Sequence, residues 1–255
     1  MKTSGNTILV TGGGSGIGRE LARRWADAGN EVIVAGRRLD ALEETAEGRP
    51  AIHPIQLDAS DAAATDAFVA TLLERFPALN VLVNNAGIMR AEALTNRRDL
   101  ADAEETIATN LLGPIRLIDA LVEHFSAQPD SAIVNVTSGL AFVPLPRTPT
   151  YSATKAALHS YTQALRVRLA GKVEVIELAP PGVQTELTPG QSTREGYMPL
   201  DEFIDEVMVL FSQQPTPPEI LVGRVQPLRF AERDGTHPER LGDAGRALGR
   251  VLPGC

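Results

Sequence analysis

Short apolar runs alternate along the chain with longer stretches whose apolar residues recur every three or four positions. The runs are Thr7–Val10, Glu31–Ala35, Ala51–Leu57, Asn80–Asn84, Ala132–Thr137 and Val173–Ala179. Most are rich in Val and Ile, as strands buried on both faces of a parallel sheet should be. Helical periodicity covers Ile17–Ala28, Leu39–Glu47, Asp61–Phe76, Asp99–Phe125 and Thr150–Ala170. The alternation predicts an open parallel sheet with helices on both faces, in one domain spanning residues 1–255. Ligands of such sheets bind beyond the carboxyl ends of the strands.

The pattern changes after Pro180. Thr188–Pro199 reads as a loop and Leu200–Ser212 as an amphipathic helix, before Pro215, Pro217 and Pro218 break the chain. Residues 188–218 are expected to form a substrate loop or lid, with Met198 and Phe203 in it. Residues 219–255 form a diverged ending. There Glu219–Leu228 reads as a last strand, and Leu241, Ala244, Leu248 and Val251 stand at helical spacing within Pro238–Val251.

A chain of 255 residues, 43% hydrophobic, can bury a sizeable core. Its net charge of −8 argues against nucleic acid as a ligand. The one cysteine, Cys255, allows no intrachain disulfide and reads as a loose tail thiol. Met1–Asn6 carries no apolar signal, and no apolar run reaches membrane-spanning length. A cytoplasmic protein without a membrane partner is expected. The histidines show no metal-binding spacing, so no metal is expected, and His159 is assigned to packing or a subunit contact. Asp99, Asp102, Glu104 and Glu105 read as a solvated helix face.

Directly after the first predicted strand comes Thr11-Gly12-Gly13-Gly14-Ser15-Gly16-Ile17-Gly18, and then a helix. Glycines let the backbone approach a ligand, and the helix N-terminus offers unpaired N–H groups to a pyrophosphate. The spacing is Gly-x-x-x-Gly-x-Gly rather than the commoner Gly-x-Gly-x-x-Gly, and its setting predicts a Rossmann-type dinucleotide site. Where an acidic residue would hold the ribose of NAD, the chain reads Ala35-Gly36-Arg37-Arg38. Guanidinium groups pair well with a 2′-phosphate, so the cofactor predicted is NADP(H). Asp58 closes the third strand, where it would meet adenine or cap the following helix. Asn84-Asn85-Ala86-Gly87 closes the fourth, with residues small enough for a flat ring to approach.

Tyr151-Ser152-Ala153-Thr154-Lys155 opens a long helix, and residues four apart share a face. A nearby ammonium favours phenolate, so Lys155 is expected to lower the pKa of Tyr151, with help from an oxidised nicotinamide. Ser138 lies just past the fifth strand, at the ligand edge. Asn110 sits inside a helical stretch, where a polar amide invites a kink or a bound water. Phe142, Val143, Pro144, Leu145 and Pro146 are expected to wall an apolar substrate pocket, with Ile88, Met89 and Arg90 on the opposite rim.

Together the glycine turn, Asn84-Asn85-Ala86-Gly87, Asn110, Ser138 and Tyr151-x-x-x-Lys155 resemble the motif set of the short-chain dehydrogenases/reductases, over about residues 5–187. Ser138–Pro144 and Glu177–Thr185 also resemble a narrower bacterial subgroup, the oxidoreductases found beside D-alanyl-lipoteichoic acid genes. The resemblance implies an oxidoreductase that passes hydride between nicotinamide C4 and a carbonyl; taken with Arg37 and the apolar wall, the expected reaction is NADPH-dependent reduction of a small, apolar aldehyde or ketone. In it Tyr151 is the general acid, Lys155 binds the nicotinamide ribose and tunes Tyr151, Ser138 orients the carbonyl, and Asn110 holds a relay water. It implies contacts of Asp58 and Asn85 with the adenosine half, and of Val183 and Thr185 with the carboxamide. It further implies a homodimer or homotetramer built on the long helices. One departure is Pro181, which stands where the family usually has glycine, fixing φ and removing an N–H. A non-catalytic NADP(H) sensor and a nucleotide-sugar epimerase or dehydratase are the alternatives.

Overall fold

The structure, a computed structural model, describes residues 1–249, with side chains to residue 244. Cys255, Val251 and the side chain of Leu248 lie outside the described residues. The expected alternation is present. The strands are β1 (Thr7–Thr11), β2 (Glu31–Gly36), β3 (Ile52–Gln56), β4 (Leu79–Asn84), β5 (Ala132–Val136), β6 (Glu174–Leu178) and β7 (Glu219–Ile220). They form one sheet in the order β3-β2-β1-β4-β5-β6-β7, with every pairing parallel. The order reverses direction at β1 and β4, the switch point at which ligands of such sheets bind. Pro54 is tolerated because β3 is an edge strand.

Alternate residues of each strand feed two separate cores. Ile8, Val10, Val32, Val34, Val81, Val83, Val134 and Ile176 point to one face. There they meet Leu21 and Trp25 of α1 (Gly16–Asp27), Leu42 of α2 (Leu39–Ala46), and Phe203, Ile204 and Phe211 of α7 (Leu200–Phe211). Leu9, Ile33, Leu82 and Ile133 point to the other face, against Phe68 and Leu72 of α3 (Ala62–Arg75) and Leu117, Leu121 and Phe125 of α5 (Gly113–Ala127). Burying one such side chain contributes about 1.5–3 kcal/mol, and this two-sided burial holds the sheet. Among the described residues no helix is long and apolar enough to cross a membrane.

Three elements differ from expectation. The single helix predicted over Asp99–Phe125 is α4 (Ala101–Ile107), a π-helical turn (Ala108–Leu112), and then α5. Asn110 lies inside that turn, which is the distortion its buried amide called for. The strand expected over Glu219–Leu228 pairs only at Glu219 and Ile220. Gly223 and Pro227 stop its extension, and α8 (Gln226–Arg229) follows. Finally, residues 200–211, expected within a loop or lid, form a helix packed into the core. Phe203 is fully buried and Met198 is 1% exposed in the core, because α7 packs its apolar face onto α1. The last helix, α9, runs His237–Gly249.

Candidate active site

The site begins at the turn between β1 and α1. Gly12 has φ +67°, and a Cβ there would lie 2.8 Å from the Ala86 Cα. A Cβ on Gly18 would lie 2.5 Å from the Gly12 carbonyl oxygen and 2.3 Å from Asn85 Nδ2. Both positions therefore admit only glycine without movement of the backbone. The turn is fastened from both sides. Asn85 Nδ2 donates to the carbonyls of Thr11 and Gly12 at 2.9 and 3.3 Å. Arg19, which stands where another glycine motif would need glycine, donates through Nε and Nη2 to the Gly14 carbonyl. Above this cradle is a cavity of about 330 Å³ lined by Gly12, Gly14, Ser15, Arg37, Arg38, Asp58, Ala86 and Gly87, among others. Close-approach glycines, an open helix N-terminus and two guanidinium groups are a chemistry that fits a dinucleotide.

Asp58 does not cap a helix. Its Oδ1 accepts from the N–H and hydroxyl of Ser60, while Asp61 caps α3 by accepting from Ala64 N–H. The Ser60 hydrogen bond, offset in part by burial, holds the Asp58 carboxyl below its usual pKa, so it faces the cavity ionised.

A second, contiguous cavity of about 340 Å³ joins the glycine turn to Ser138, Tyr151 and Lys155. Ser138 is held at the end of β5. Thr137 N–H donates to the Leu178 carbonyl, Gly139 N–H donates to the Pro180 carbonyl, and the Ser138 hydroxyl accepts from Leu140 N–H at 3.1 Å. Tyr151 and Lys155 sit in the first turns of α6 (Pro149–Arg168), both buried. Lys155 Nζ donates to the Val136 carbonyl at 2.8 Å and lies 5.6 Å from the centre of the Tyr151 ring. Gly87 lets Asn110 and Lys155 converge, since a Cβ there would lie 3.3 Å from Asn110 Oδ1 and 3.7 Å from Lys155 Nζ. The Asn110 side chain exchanges hydrogen bonds with the backbone of Ile88, accepting at 2.8 Å and donating at 2.9 Å, and also reaches Thr154 Oγ1. It ties the end of the β4 loop to α6.

The electrostatics reverse one expectation. Burial pushes the Tyr151 phenol up to about 12, a hydrogen bond with Ser138 pulls it the other way, and nearby Tyr197 adds a smaller upward push. Burial also brings Lys155 down to about 8. Burial outweighs the Ser138 hydrogen bond, and Lys155 adds no counteracting pull, so the phenol lies above its ordinary value rather than below it.

The substrate side also departs from expectation. Phe142 turns away, its ring edge-on to His159 at 5.0 Å and under the Arg229 guanidinium at 4.9 Å. None of Phe142, Val143, Pro144, Leu145 and Pro146 lines the cavity beside Tyr151. Ile88 and Arg90 do, with Pro180, Pro181, Val183, Thr185, Glu186, Leu187 and Gln191. The wall beside Tyr151 is therefore mixed rather than mostly apolar. Pro181 lines the cavity, and the following Gly182 lies under the Tyr197 ring, whose carbons would stand 3.1–3.2 Å from a Cβ.

Sequence reasoning missed Gln191, which is buried and holds the loop by donating to the Val183 carbonyl at 2.9 Å and to Thr185 Oγ1 at 3.3 Å. No motif marks it. His159 lies outside the cavity lining and packs within the chain. It pairs through Nδ1 with buried Glu177 at 2.8 Å, and Glu177 also accepts from Thr137. The expected solvated acidic face is present, with Asp99, Asp102 and Glu104 exposed and Glu105 partly so, and from it Glu105 and Asp102 also reach Arg37 and Arg90.

The chain is similar to known proteins over most of its length. The family model described as short chain dehydrogenase matches residues 6–196. The uncharacterized oxidoreductase DltE of Bacillus subtilis (strain 168) is 44% identical over 198 residues, covering 77% of this chain and 79% of that protein. A sulfoacetaldehyde reductase of Chromohalobacter salexigens is 38% identical, covering 71% of this chain and 74% of that protein. The crystal structure of a 3-ketoacyl-(acyl-carrier-protein) reductase from Brucella melitensis, complexed with NADH, superposes with a TM-score of 0.76 at 28% identity, covering 84% and 93% of the two chains. Fold, glycine cradle and the Ser138–Tyr151–Lys155 cluster thus coincide with a match over most of the chain, and the protein belongs to the short-chain dehydrogenase/reductase family, including its DltE-type oxidoreductases.

Proposed function

We propose that the protein is an NADPH-dependent reductase of a small aldehyde or ketone, oxidising the alcohol in the reverse direction, with Tyr151 as proton donor. The observation that carries this reading is one cavity lined both by the glycine turn and by Ser138, Tyr151 and Lys155. Gly12, Gly14, Ser15, Gly16, Ile17 and Gly18 would hold the cofactor's phosphates. Arg37 and Arg38 would hold a 2′-phosphate. Asp58, Asn85, Ala86 and Gly87 would serve the adenosine half, and Lys155, Pro181, Val183 and Thr185 the nicotinamide half. A nicotinamide held there would supply the hydride that the carbonyl carbon accepts.

The chain's own residues manage the proton. The Tyr151 phenol, with its pKa near 12 in the free protein, is fully protonated at neutral pH and loaded as an acid. Ser138 donates to the carbonyl oxygen and sets it against the Tyr151 hydroxyl. As negative charge grows on that oxygen, the Tyr151 proton moves to it. The protonated Lys155 ammonium, 5.6 Å from the ring centre, stabilises the phenolate left behind. Asn110 positions both ends by fixing Ile88 to α6. The mixed pocket lining with Arg90 favours a small polar carbonyl, and the similarity to a sulfoacetaldehyde reductase supports that direction. The exposed Leu94 and Ile107, which line the groove between α4 and α6, support a homodimer or homotetramer.

NADPH absorbance followed across a panel of small aldehydes and ketones, charged and neutral, tests the reading. Turnover with NADPH at a kcat/KM at least tenfold above that with NADH is expected. Tight NADPH binding with no turnover on any carbonyl would contradict it.

A further inference from the structure

Arg37 already has a carboxylate partner. Its side chain lines the cofactor cavity at the end of β2, yet its Nη1 donates to Glu105 Oε1 of α4 at 3.1 Å. The other oxygen of that carboxylate lies 3.5 Å from Arg90 Nη2, and Arg90 Nε lies 3.6 Å from Asp102 Oδ1. Arg90 lines the cavity that contains Tyr151. The series Arg37–Glu105–Arg90–Asp102 therefore links the nucleotide end of the site to its reacting end.

We propose that Glu105 is an internal competitor for the cofactor's 2′-phosphate, and so a specificity-determining residue that limits the preference for NADPH. The inference rests on the reading of Arg37 as a 2′-phosphate ligand. A guanidinium meets carboxylate and phosphate with the same N–H fork, so it serves both fully only in turn. The Arg37 main chain is fixed, because its carbonyl accepts from Gln56 Nε2 at 2.9 Å, and the exchange is a movement of the side chain alone. It is an easy movement. The two side chains are 54% and 36% exposed, and Glu105 keeps Arg90 as a partner when Arg37 leaves. Neither charge is stranded in a dry environment. NADH carries no 2′-phosphate, so with NADH the Arg37–Glu105 pair persists and Glu105 has no effect.

Binding of NADPH and of NADH, titrated calorimetrically at low salt, separates the possibilities. Glu105→Gln is expected to tighten NADPH about two- to fivefold, the size an exposed ion pair supports, and to leave NADH unchanged. The gain should shrink as salt is raised. It should vanish in the Arg37→Ala background, and Asp102→Asn, which removes a neighbouring charge without touching Arg37, should not reproduce it. An unchanged NADPH affinity in Glu105→Gln, alongside weaker NADPH binding in Arg37→Ala, overturns the competitor and leaves the reading of Arg37 standing. A gain that survives Arg37→Ala, or that Asp102→Asn matches, overturns it in favour of a general field effect. NADPH affinity unaltered by Arg37→Ala removes the foundation itself. Thermal melts of the same half-exposed variants, expected to match the parent, exclude unfolding as the cause.

Discussion

The glycine turn after β1 and the segment after Pro180 serve the same cavity by opposite means. The turn works through backbone. Gly12 and Gly18 approach Ala86 and each other so closely that no side chain fits, and Asn85 and Arg19 merely fasten the carbonyls. The later segment works through side chains that meet across long stretches of sequence. Gln191 holds Val183, Arg229 pairs with both oxygens of Glu219 at 2.9 Å, and its guanidinium covers Phe142. Beneath them, His159 and Thr137 bracket the fully buried Glu177. A backbone device is local and tolerates almost no substitution. A side-chain network is dispersed, can be exchanged piecewise, and leaves no short pattern.

The sharpest way to break this contrast is to remove one member of the buried network. His159→Leu would leave the Glu177 carboxylate with Thr137 as its remaining side-chain hydrogen-bond partner, with Arg229 acting on it only through its charge. A cost of about 3–5 kcal/mol is expected, because a buried charge loses its partner. At roughly 2–4 °C per kcal/mol for a chain of this size, the melting temperature should fall by about 10 °C. An unchanged melting temperature would show that Glu177 does not depend on the pair. The same variant should bind the cofactor normally once folded, since His159 lies outside the cavity lining.

Gly18→Ala addresses the other half of the comparison. Its Cβ would press on the Gly12 carbonyl, so the turn must shift, at about 1–3 kcal/mol in stability. Here NADPH affinity should drop at least about tenfold, because the shifted backbone is itself the ligand-binding surface. A variant that melts lower yet binds NADPH like the parent would show that the close approach serves packing alone.

The pH dependence gives a smaller effect. Burial lowers Lys155 from 10.5 to about 8, so its ammonium is lost as pH rises through about 8 while Tyr151 remains protonated. Reductive kcat/KM should be level below that pH and fall roughly tenfold per unit above it. Folding stability should change in the opposite sense. Between about 8 and 10.5 the unfolded chain holds the Lys155 proton and the native one does not, so this residue's contribution to stability rises with pH. A flat rate profile from pH 7 to 10 would contradict a charged Lys155 as the stabiliser of phenolate.

This contrast also explains what could be read from the chain. Alternating Val- and Ile-rich runs identify the sheet, because parallel strands buried on both faces have few other compositions. Gly12, Gly18 and the Tyr151–Lys155 pair are legible because each depends on close spacing. Asn110 is legible as a distortion, and the π-helical turn is its form. Phe203 was not legible, since a buried aromatic on an amphipathic helix looks the same in a lid and in a core. Nor was the direction of Phe142, which depends on Arg229, far along the chain. The raised pKa of Tyr151 escaped for a related reason, because spacing shows a neighbouring charge and not the depth of burial. The arginine partners of Glu105 belong with these, because an acidic residue on a solvated helix face shows nothing of neighbours distant in the sequence.

The central claim is that Tyr151 donates the proton, and Tyr151→Phe tests it most directly. The variant keeps the ring and removes only the hydroxyl, and two quantities should be measured together: NADPH affinity by fluorescence titration, and kcat on the best carbonyl of the panel. The account predicts an NADPH affinity within about twofold of the parent and a kcat lower by about 10²–10⁴-fold, the usual contribution of a positioned general acid. Full kcat in Tyr151→Phe, with NADPH bound as in the parent, would contradict it.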